Sequence, residues 1–140
     1  MKTTLFFTLS FLLSLVLHAQ DSWKVTLNGE PVLSTSTEDA EKNFISINPD
    51  YLKNSKTFVV TYTETEKQKG WQRTISAYDS TDKELVKQTG TIFKISNKTL
   101  LAQLKKSKTI RIFTMNLPTD PKVKARVRVR RVHLCTLTLL

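Results

Sequence analysis

The feature that most restricts the fold is a repeated pattern of short alternating segments separated by polar turns. Between residues 23 and 27, apolar side chains alternate with Lys24 and Thr26. Asn28-Gly29 follows directly, and this dipeptide accepts the two positive φ angles of a tight hairpin turn. Pro31 comes just after the turn and cannot donate a hydrogen bond to a strand ladder, which places it at an edge or a bulge. The pattern predicts an antiparallel hairpin at this point of the chain.

The same alternation continues along the chain and predicts further strands. Residues 57–65 and 71–78 are rich in β-branched and aromatic side chains, and the polar segment between them contains Gly70. These two segments therefore predict a second hairpin. Further strands are predicted at residues 32–34, 44–47, 84–88, 91–95, 109–116 and 125–139.

Residues 97–106 interrupt this pattern and predict one short helix. Ser96 or Asn97 can cap its N-terminus, and the leucines between residues 100 and 104 lie on one helical face. Many short strands with a single helix predict a mainly β fold, either a two-sheet β-sandwich or a small open barrel.

The first nineteen residues predict a secretory signal peptide. Lys2 precedes an apolar segment that ends at Val16, and Ala19 provides a small residue at the expected cleavage site. A retained membrane anchor is the alternative, although the apolar segment is shorter than the ~20 residues of a spanning helix. We therefore expect cleavage after Ala19 and a secreted or periplasmic location. Residues 20–140 are then expected to form a single β-rich domain without a transmembrane segment.

Basic residues are concentrated in the second part of the expected mature chain. Residues 20–84 hold 8 basic and 11 acidic side chains, whereas residues 85–140 hold 13 basic side chains and Asp120 as their only acid. The mature chain therefore has a net charge of +9, and such an asymmetry attracts polyanions. Because export separates the protein from chromosomal nucleic acid, the expected partner is an anionic glycan, a lipid head group or an acidic protein surface. No nucleic acid is expected.

The glycine and cysteine counts exclude several common sites. The three glycines are spaced so that no G-x-G-x-x-G, P-loop or G-x-S-x-G motif can be written. Cys135 is the only cysteine, so an intramolecular disulfide cannot form. No cofactor is expected.

The predicted C-terminal strand carries the strongest sign of a binding site. Arg126, Arg128 and Arg130 alternate with valines, so a strand with a rise of ~3.3 Å per residue would place their guanidinium groups in a row on one face. Such groups bind phosphate, sulfate or carboxylate in a bidentate manner. Lys122 and Lys124 lengthen the basic stripe and complete the predicted binding residues. The alternative is a solvated face whose charges prevent edge-to-edge aggregation.

His133 and Cys135 follow on the same predicted strand. Their spacing predicts that they share a face, whether or not a bulge at residues 130–131 shifts the register. His133 is the only histidine left after cleavage, so a zinc or copper site lacks ligands even if Met115 contributes one. We expect no metal, and we interpret Cys135 as a buried, unreactive thiol, with an intermolecular disulfide as the alternative.

Four carboxylates provide the candidate residues for a hydrolase. On a strand, Glu64 and Glu66 would share a face at a separation near that of an inverting glycosidase pair, roughly 6.5 to 9.5 Å. Asp79 and Asp82 lie in the turn after residues 71–78. Solvated strand ends are the competing interpretation of the glutamate pair.

Aromatic side chains and one asparagine are further candidates. Trp23, Tyr62, Trp71 and Tyr78 could form a stacking platform for sugars, although aromatic residues in sheets more often pack in the core or in cross-strand pairs. Asn97-Lys98-Thr99 matches the N-glycosylation acceptor pattern.

Together these observations predict an exported, non-enzymatic binding module that contacts an anionic surface through its basic C-terminal strand. One alternative is a small cell-envelope hydrolase that uses the four carboxylates. Another is a structural subunit that adds its terminal strand to a partner sheet. The sequence gives no prediction of oligomeric state.

Overall fold

The computed structural model describes residues 20–140, so the predicted signal peptide lies outside the described residues. Two β-sheets share one hydrophobic core, which confirms the predicted mainly β, two-sheet sandwich. The strands are β1 (Ser22–Leu27), β2 (Glu30–Thr35), β3 (Phe44–Ile47), β4 (Thr57–Thr63), β5 (Trp71–Tyr78), β6 (Glu84–Thr89), β7 (Ile92–Ser96), β8 (Thr109–Pro118) and β9 (Val132–Leu139). The helices are α1 (Asn97–Ser107), α2 (Pro121–Lys124) and a 3-10 turn at Pro49–Leu52.

The two sheets are open and contain four and five strands. The four-stranded sheet has the order β2-β1-β4-β7, and the five-stranded sheet has the order β3-β9-β8-β5-β6. Neighbouring strands are antiparallel except β3 and β9, which are parallel. The first predicted hairpin is confirmed, because β1 pairs with β2 and Asn28 and Gly29 both adopt positive φ angles.

The second predicted hairpin is wrong, although both of its strands form. β4 pairs with β1 and β7, whereas β5 pairs with β6 and β8 in the opposite sheet. Phe58 and Val60 of β4 and Ile75 of β5 are each 0% exposed, because each strand presents its apolar face to the other across the core. The polar segment at residues 64–70 therefore crosses from one sheet to the other. The alternation of apolar and polar residues predicts which face of a strand is buried, but it does not determine which other strand is hydrogen-bonded to it.

Helix α1 confirms the predicted helix and covers one end of the sandwich. Ser96 caps it, since its Oγ accepts a hydrogen bond from the Thr99 amide at 3.2 Å. Leu100 and Leu104 are buried against the core. The helix ends where Lys108 adopts a φ of 64° and its N–H donates to the Leu104 carbonyl at 2.8 Å. Within residues 20–140, no helix has the length and apolar character needed to cross a bilayer.

The side chain of Gln88 joins the two sheets beside the edge of β7. Its Nε2 donates to the Lys94 carbonyl and its Oε1 accepts from the Lys94 N–H, both at 2.8 Å. One side-chain amide therefore satisfies the two main-chain groups of Lys94 that this edge strand would otherwise leave free. This bridge fixes the turn between β6 and β7. Residues 89–91 at this turn line one of the clefts of the candidate site.

The predicted strand at residues 125–139 is wrong over its first seven residues. The chain forms α2, then an irregular segment, and β9 begins only at Val132. The reason is local at the start of the segment: Pro121 occupies the first helical turn, and Asp120 accepts a hydrogen bond from the Lys122 N–H at 2.9 Å. The arginines still alternate with less exposed valines, but no neighbouring strand pairs with them.

Candidate functional site

The predicted binding residues lie in a loop rather than on a strand. We call residues 119–131, which connect β8 to β9, the basic loop. The regular arginine row expected from a strand is therefore absent. Within the described residues, the predicted binding residues other than Arg130 are exposed and form no ion pair. These residues are Lys122, Lys124, Arg126 and Arg128.

Arg130 has a different environment from the other four predicted binding residues. Its Nη1 donates to Glu38 Oε2 at 2.7 Å, while Glu38 Oε1 accepts from the His133 N–H at 2.9 Å. Partial burial acts to raise the pKa of Glu38, but the hydrogen bonds from His133 and Arg130 outweigh it and hold this pKa below its ordinary value. Arg130 therefore fastens the end of the basic loop to the segment before β3.

Arg131 fastens the same end of the loop to the outer face of the five-stranded sheet. Its guanidinium carbon lies 4.1 Å from the Phe113 ring centre and 4.8 Å from that of Tyr78. Its Nη2 also donates to Asp82 Oδ1 at 2.8 Å. At the other end of the loop, the Thr119 N–H and Oγ1 donate to the Gly70 carbonyl at 2.8 and 3.1 Å. Both ends are held, so the four unpaired cations project from an anchored loop.

Lys124 and Lys87 line a cleft between α2 and the outer face of β5 and β6. We call this cleft of about 380 Å³ the lysine cleft. Thr74, Thr89 and Thr119 contribute hydroxyl groups, and none of the lining residues is acidic. Two ammonium groups with nearby hydroxyl donors form an environment suited to a phosphate, sulfate or carboxylate group.

A second cleft adjoins the lysine cleft at the end of the sandwich. We call it the tryptophan cleft, because the half-buried Trp71 is its only aromatic lining residue. It has a volume of about 300 Å³, and amides, hydroxyls and charged groups supply the rest of its lining, with no Val, Leu, Ile or Met. The clefts share three lining residues, Gln72, Thr89 and Thr119.

Hydrogen bonds fix the walls of the tryptophan cleft. Arg73 Nε donates to Glu64 Oε1 at 2.6 Å, and Arg73 Nη1 donates to Thr114 Oγ1 at 3.1 Å. The Arg73 guanidinium also lies 4.1 Å from the Tyr62 ring centre. On the opposite wall, Asn116 Nδ2 donates to Gln68 Oε1 at 3.2 Å. The cleft is therefore largely preformed.

Two of the four aromatic candidates belong to the core. Trp23 and Tyr62 stack with a ring-centre distance of 6.0 Å and are 4% and 6% exposed. Burial and the hydrogen bond that the Tyr62 hydroxyl donates to Asp21 raise the pKa of Tyr62 to about 12. Tyr78 packs edge-on against Phe113. The four side chains therefore do not form one stacking platform, and of the four only Trp71 lines either of the two clefts.

The prediction that His133 and Cys135 share a face is wrong. A bulge in β9 at Leu134 reverses the alternation, so Cys135 faces the core opposite Ile112 while His133 faces outward opposite Phe113. The Leu134 carbonyl accepts a hydrogen bond from the Trp23 indole at 2.9 Å. Burial raises the pKa of the Cys135 thiol, as expected of an unreactive cysteine. Among residues 20–140, no three His, Cys, Asp or Glu side chains group as metal ligands.

The four carboxylates suggested for hydrolysis have separate environments. Glu64 is paired with Arg73, and Glu66 is exposed in the segment after β4. Asp79 accepts hydrogen bonds from Thr81 and Lys83 within its own turn. Asp82 pairs with two arginines, Arg111 and Arg131. Three of the four carboxylates thus have structural partners.

Asn97, the potential glycosylation acceptor, is buried at the start of α1. Its Nδ2 donates to Asn54 Oδ1 at 2.7 Å, and its side chain is 0% exposed. A transferase cannot reach this amide in the folded protein.

Sequence reasoning found Lys124 but missed Lys87 in the same cleft and the polar residues that line the tryptophan cleft. Lys87, Gln68 and Asn116 carry no local signal of function, because each is a polar residue in a strand or a turn. Only the antiparallel alignment of β5 with both β6 and β8 brings such positions to the same end of the sheet. Comparisons with protein-family models, curated proteins and solved structures found no match to this chain.

Proposed function

We propose that this protein is an exported, non-enzymatic binding module whose ligand carries anionic groups, held by the basic loop and the lysine cleft. The observation that carries the proposal is that the basic loop brings four exposed cations together within seven residues, and none of the four forms an ion pair among residues 20–140. Elsewhere in the loop, Arg130 and Arg131 are neutralised by Glu38 and Asp82.

The arrangement around these cations supports an attractive surface for a polyanion. Residues 85–140 hold 13 basic side chains and one acid, so few nearby carboxylates reduce the positive potential. The lysine cleft adds a concave position that is lined by both Lys87 and Lys124 and by no acidic residue. Anchoring of both loop ends lowers the conformational entropy that the loop loses on binding.

The experiment measures the affinity of residues 20–140 for heparin, a sulfated polysaccharide, as a function of salt concentration. The loop variant combines Lys122→Gln, Lys124→Gln, Arg126→Gln and Arg128→Gln. Each exposed ion pair between a loop cation and an anionic group of heparin contributes ~0.5 kcal/mol to binding. Losing four such pairs should weaken binding by roughly 2 kcal/mol, which is about 30-fold in affinity. The salt dependence should also become shallower.

A matched control removes the same charge from a different region. It combines Lys98→Gln, Lys105→Gln, Lys106→Gln and Lys108→Gln, which are exposed positions on α1 and at its C-terminal cap. Helix α1 and its cap Lys108 precede the start of β8, whereas the basic loop follows its end, so the control positions and the loop are separated by the length of that strand. The control should weaken heparin binding by less than about threefold. Equal losses in the two variants, or no binding by the unmodified protein, would overturn the proposal.

A further inference from the structure

We infer that the tryptophan cleft is a saccharide subsite, so that the ligand is an anionic glycan whose sugar ring stacks on Trp71 and whose charged substituent enters the lysine cleft. This inference rests on the proposed function and specifies the chemical class of its ligand. Its basis is the composition of the tryptophan cleft and its continuity with the lysine cleft.

The lining of the tryptophan cleft matches the surface of a sugar. A pyranose ring has an apolar face of C–H groups and a rim of hydroxyls, each both a donor and an acceptor. Trp71 provides one aromatic surface for the apolar face. The side-chain amides of Gln68, Gln72 and Asn116 provide donors and acceptors for the rim.

The same lining disfavours a peptide as the occupant. Peptide-binding grooves rely on apolar pockets for side chains or on an exposed strand edge. The tryptophan cleft has no aliphatic lining residue other than the methyl groups of threonines. On the neighbouring edge strand β7, the N–H and carbonyl of Lys94 are already bonded to Gln88 and cannot pair with a peptide. A lipid chain is disfavoured by the same polarity.

Continuity of the two clefts determines how one ligand would use both. Gln72, Thr89 and Thr119 line both clefts, so they form the boundary between them. Trp71 and Lys124 lie on opposite sides of this boundary. A glycan that places a ring beside Trp71 can therefore present a sulfate, phosphate or carboxylate substituent to Lys87 and Lys124. Trp71 lines only the tryptophan cleft, where Arg73 is already paired with Glu64, whereas Lys87 and Lys124 line only the lysine cleft.

The test compares two polyanions that differ in their backbone. Heparin carries sulfates and carboxylates on sugar rings, whereas inorganic polyphosphate carries negative charge without any sugar. We expect Trp71→Ala to weaken heparin binding about tenfold and to leave polyphosphate binding within twofold of the unmodified protein. The loop variant should weaken the binding of both. Tyr51→Ala is the matched control, because Tyr51 is an exposed aromatic residue that lines neither cleft, and it should change neither affinity.

Fluorescence provides a second, independent measurement. The protein has two tryptophans, and Trp23 is buried in the core, so a change in indole emission on ligand binding reports Trp71. Heparin should shift the emission and polyphosphate should not. Trp71→Phe keeps an aromatic ring, and we expect it to retain heparin affinity within about threefold while abolishing the emission change. The thermal unfolding temperature of each variant verifies that it is folded.

The possible results separate the two proposals. If the loop variant weakens both ligands but Trp71→Ala weakens neither, or weakens both equally, the saccharide subsite is refuted and the anion-binding function stands. If the loop variant binds both ligands as tightly as the unmodified protein, the proposed function fails as well. Selective loss of heparin binding in Trp71→Ala, together with weaker binding of both ligands by the loop variant, supports both proposals.

Discussion

Replacing Arg73 with methionine should destabilise the protein strongly, because this guanidinium joins β4, β5 and β8 beneath the tryptophan cleft. Arg73 contacts Glu64 at 2.6 Å, Thr114 at 3.1 Å and the Tyr62 ring centre at 4.1 Å. The Arg73 and Glu64 side chains are only 10% and 14% exposed. Water therefore cannot easily replace the contacts that Arg73→Met removes.

The magnitude follows from the kinds of contact that are lost. A hydrogen bond to a charged group contributes ~1.5 to 3 kcal/mol, and the cation–π contact adds ~0.5 to 2 kcal/mol. Because all these contacts are made by one guanidinium, their contributions do not add fully. We therefore expect Arg73→Met to lower the free energy of unfolding by about 3 kcal/mol. Glu64→Gln keeps an acceptor for Arg73 and should cost about 1 kcal/mol. Because the two residues interact directly, the double variant should be more stable than additivity predicts by about 1 kcal/mol.

Urea denaturation followed by circular dichroism measures these free energies. With a slope of about 1.5 kcal/mol per molar urea, Arg73→Met should lower the midpoint by about 2 M. Arg111→Met is the control, because Arg111 pairs with Asp82, whose side chain is 51% exposed. Such an exposed pair contributes less than about 1 kcal/mol. The reasoning is refuted if Arg73→Met costs no more than Arg111→Met, or if the effects of Arg73→Met and Glu64→Gln simply add.

Three further predictions concern the thiol, the acid response and the N-terminus. Cys135 should react slowly with iodoacetamide in the native protein and rapidly in denaturant, and fast native labelling would show that the thiol is accessible. The low pKa of Glu38 means that its ionised form stabilises the fold above its ordinary pKa of 4.5, and this stability is lost as pH falls through the folded value. Glu38→Gln should therefore have a lower melting temperature than the unmodified protein at pH 7, and the two melting temperatures should converge at about pH 2. A difference in melting temperature that does not change with pH would contradict the low pKa assigned to Glu38. Mass spectrometry of protein from its native host should find an N-terminus at Gln20, and an intact Met1 in a membrane fraction would contradict the signal peptide.

Features that depend on nearby residues could be predicted from the sequence alone. The turn at Asn28-Gly29 forms because these two residues tolerate positive φ angles in any context. Helix α1 forms where Ser96 offers a capping oxygen and leucines recur at helical spacing. Most strands appear where apolar and polar residues alternate, and their number predicted a two-sheet sandwich or a small open barrel, of which the structure shows the sandwich. In each case the determining interactions lie within a few residues of one another.

Features that require a neighbour distant in sequence were decided by the tertiary structure. The alternating arginines predicted a strand at residues 125–131, but alternation does not supply a hydrogen-bonded partner, and the capping side chain of Asp120 begins α2 instead. The bulge at Leu134 separates His133 from Cys135, and its carbonyl meets the indole of Trp23, which is 111 residues away in sequence.

The candidate site shows the same division. Sequence composition identified a positive C-terminal region, and the exposed cations of the basic loop agree with it. The lysine cleft, however, requires Lys87 beside Lys124, and the tryptophan cleft requires Trp71 near Asn116. These residues come together because β5 pairs with β6 on one side and with β8 on the other. Charge is a property of composition, whereas a cleft is a property of which strands become neighbours when the apolar faces are buried.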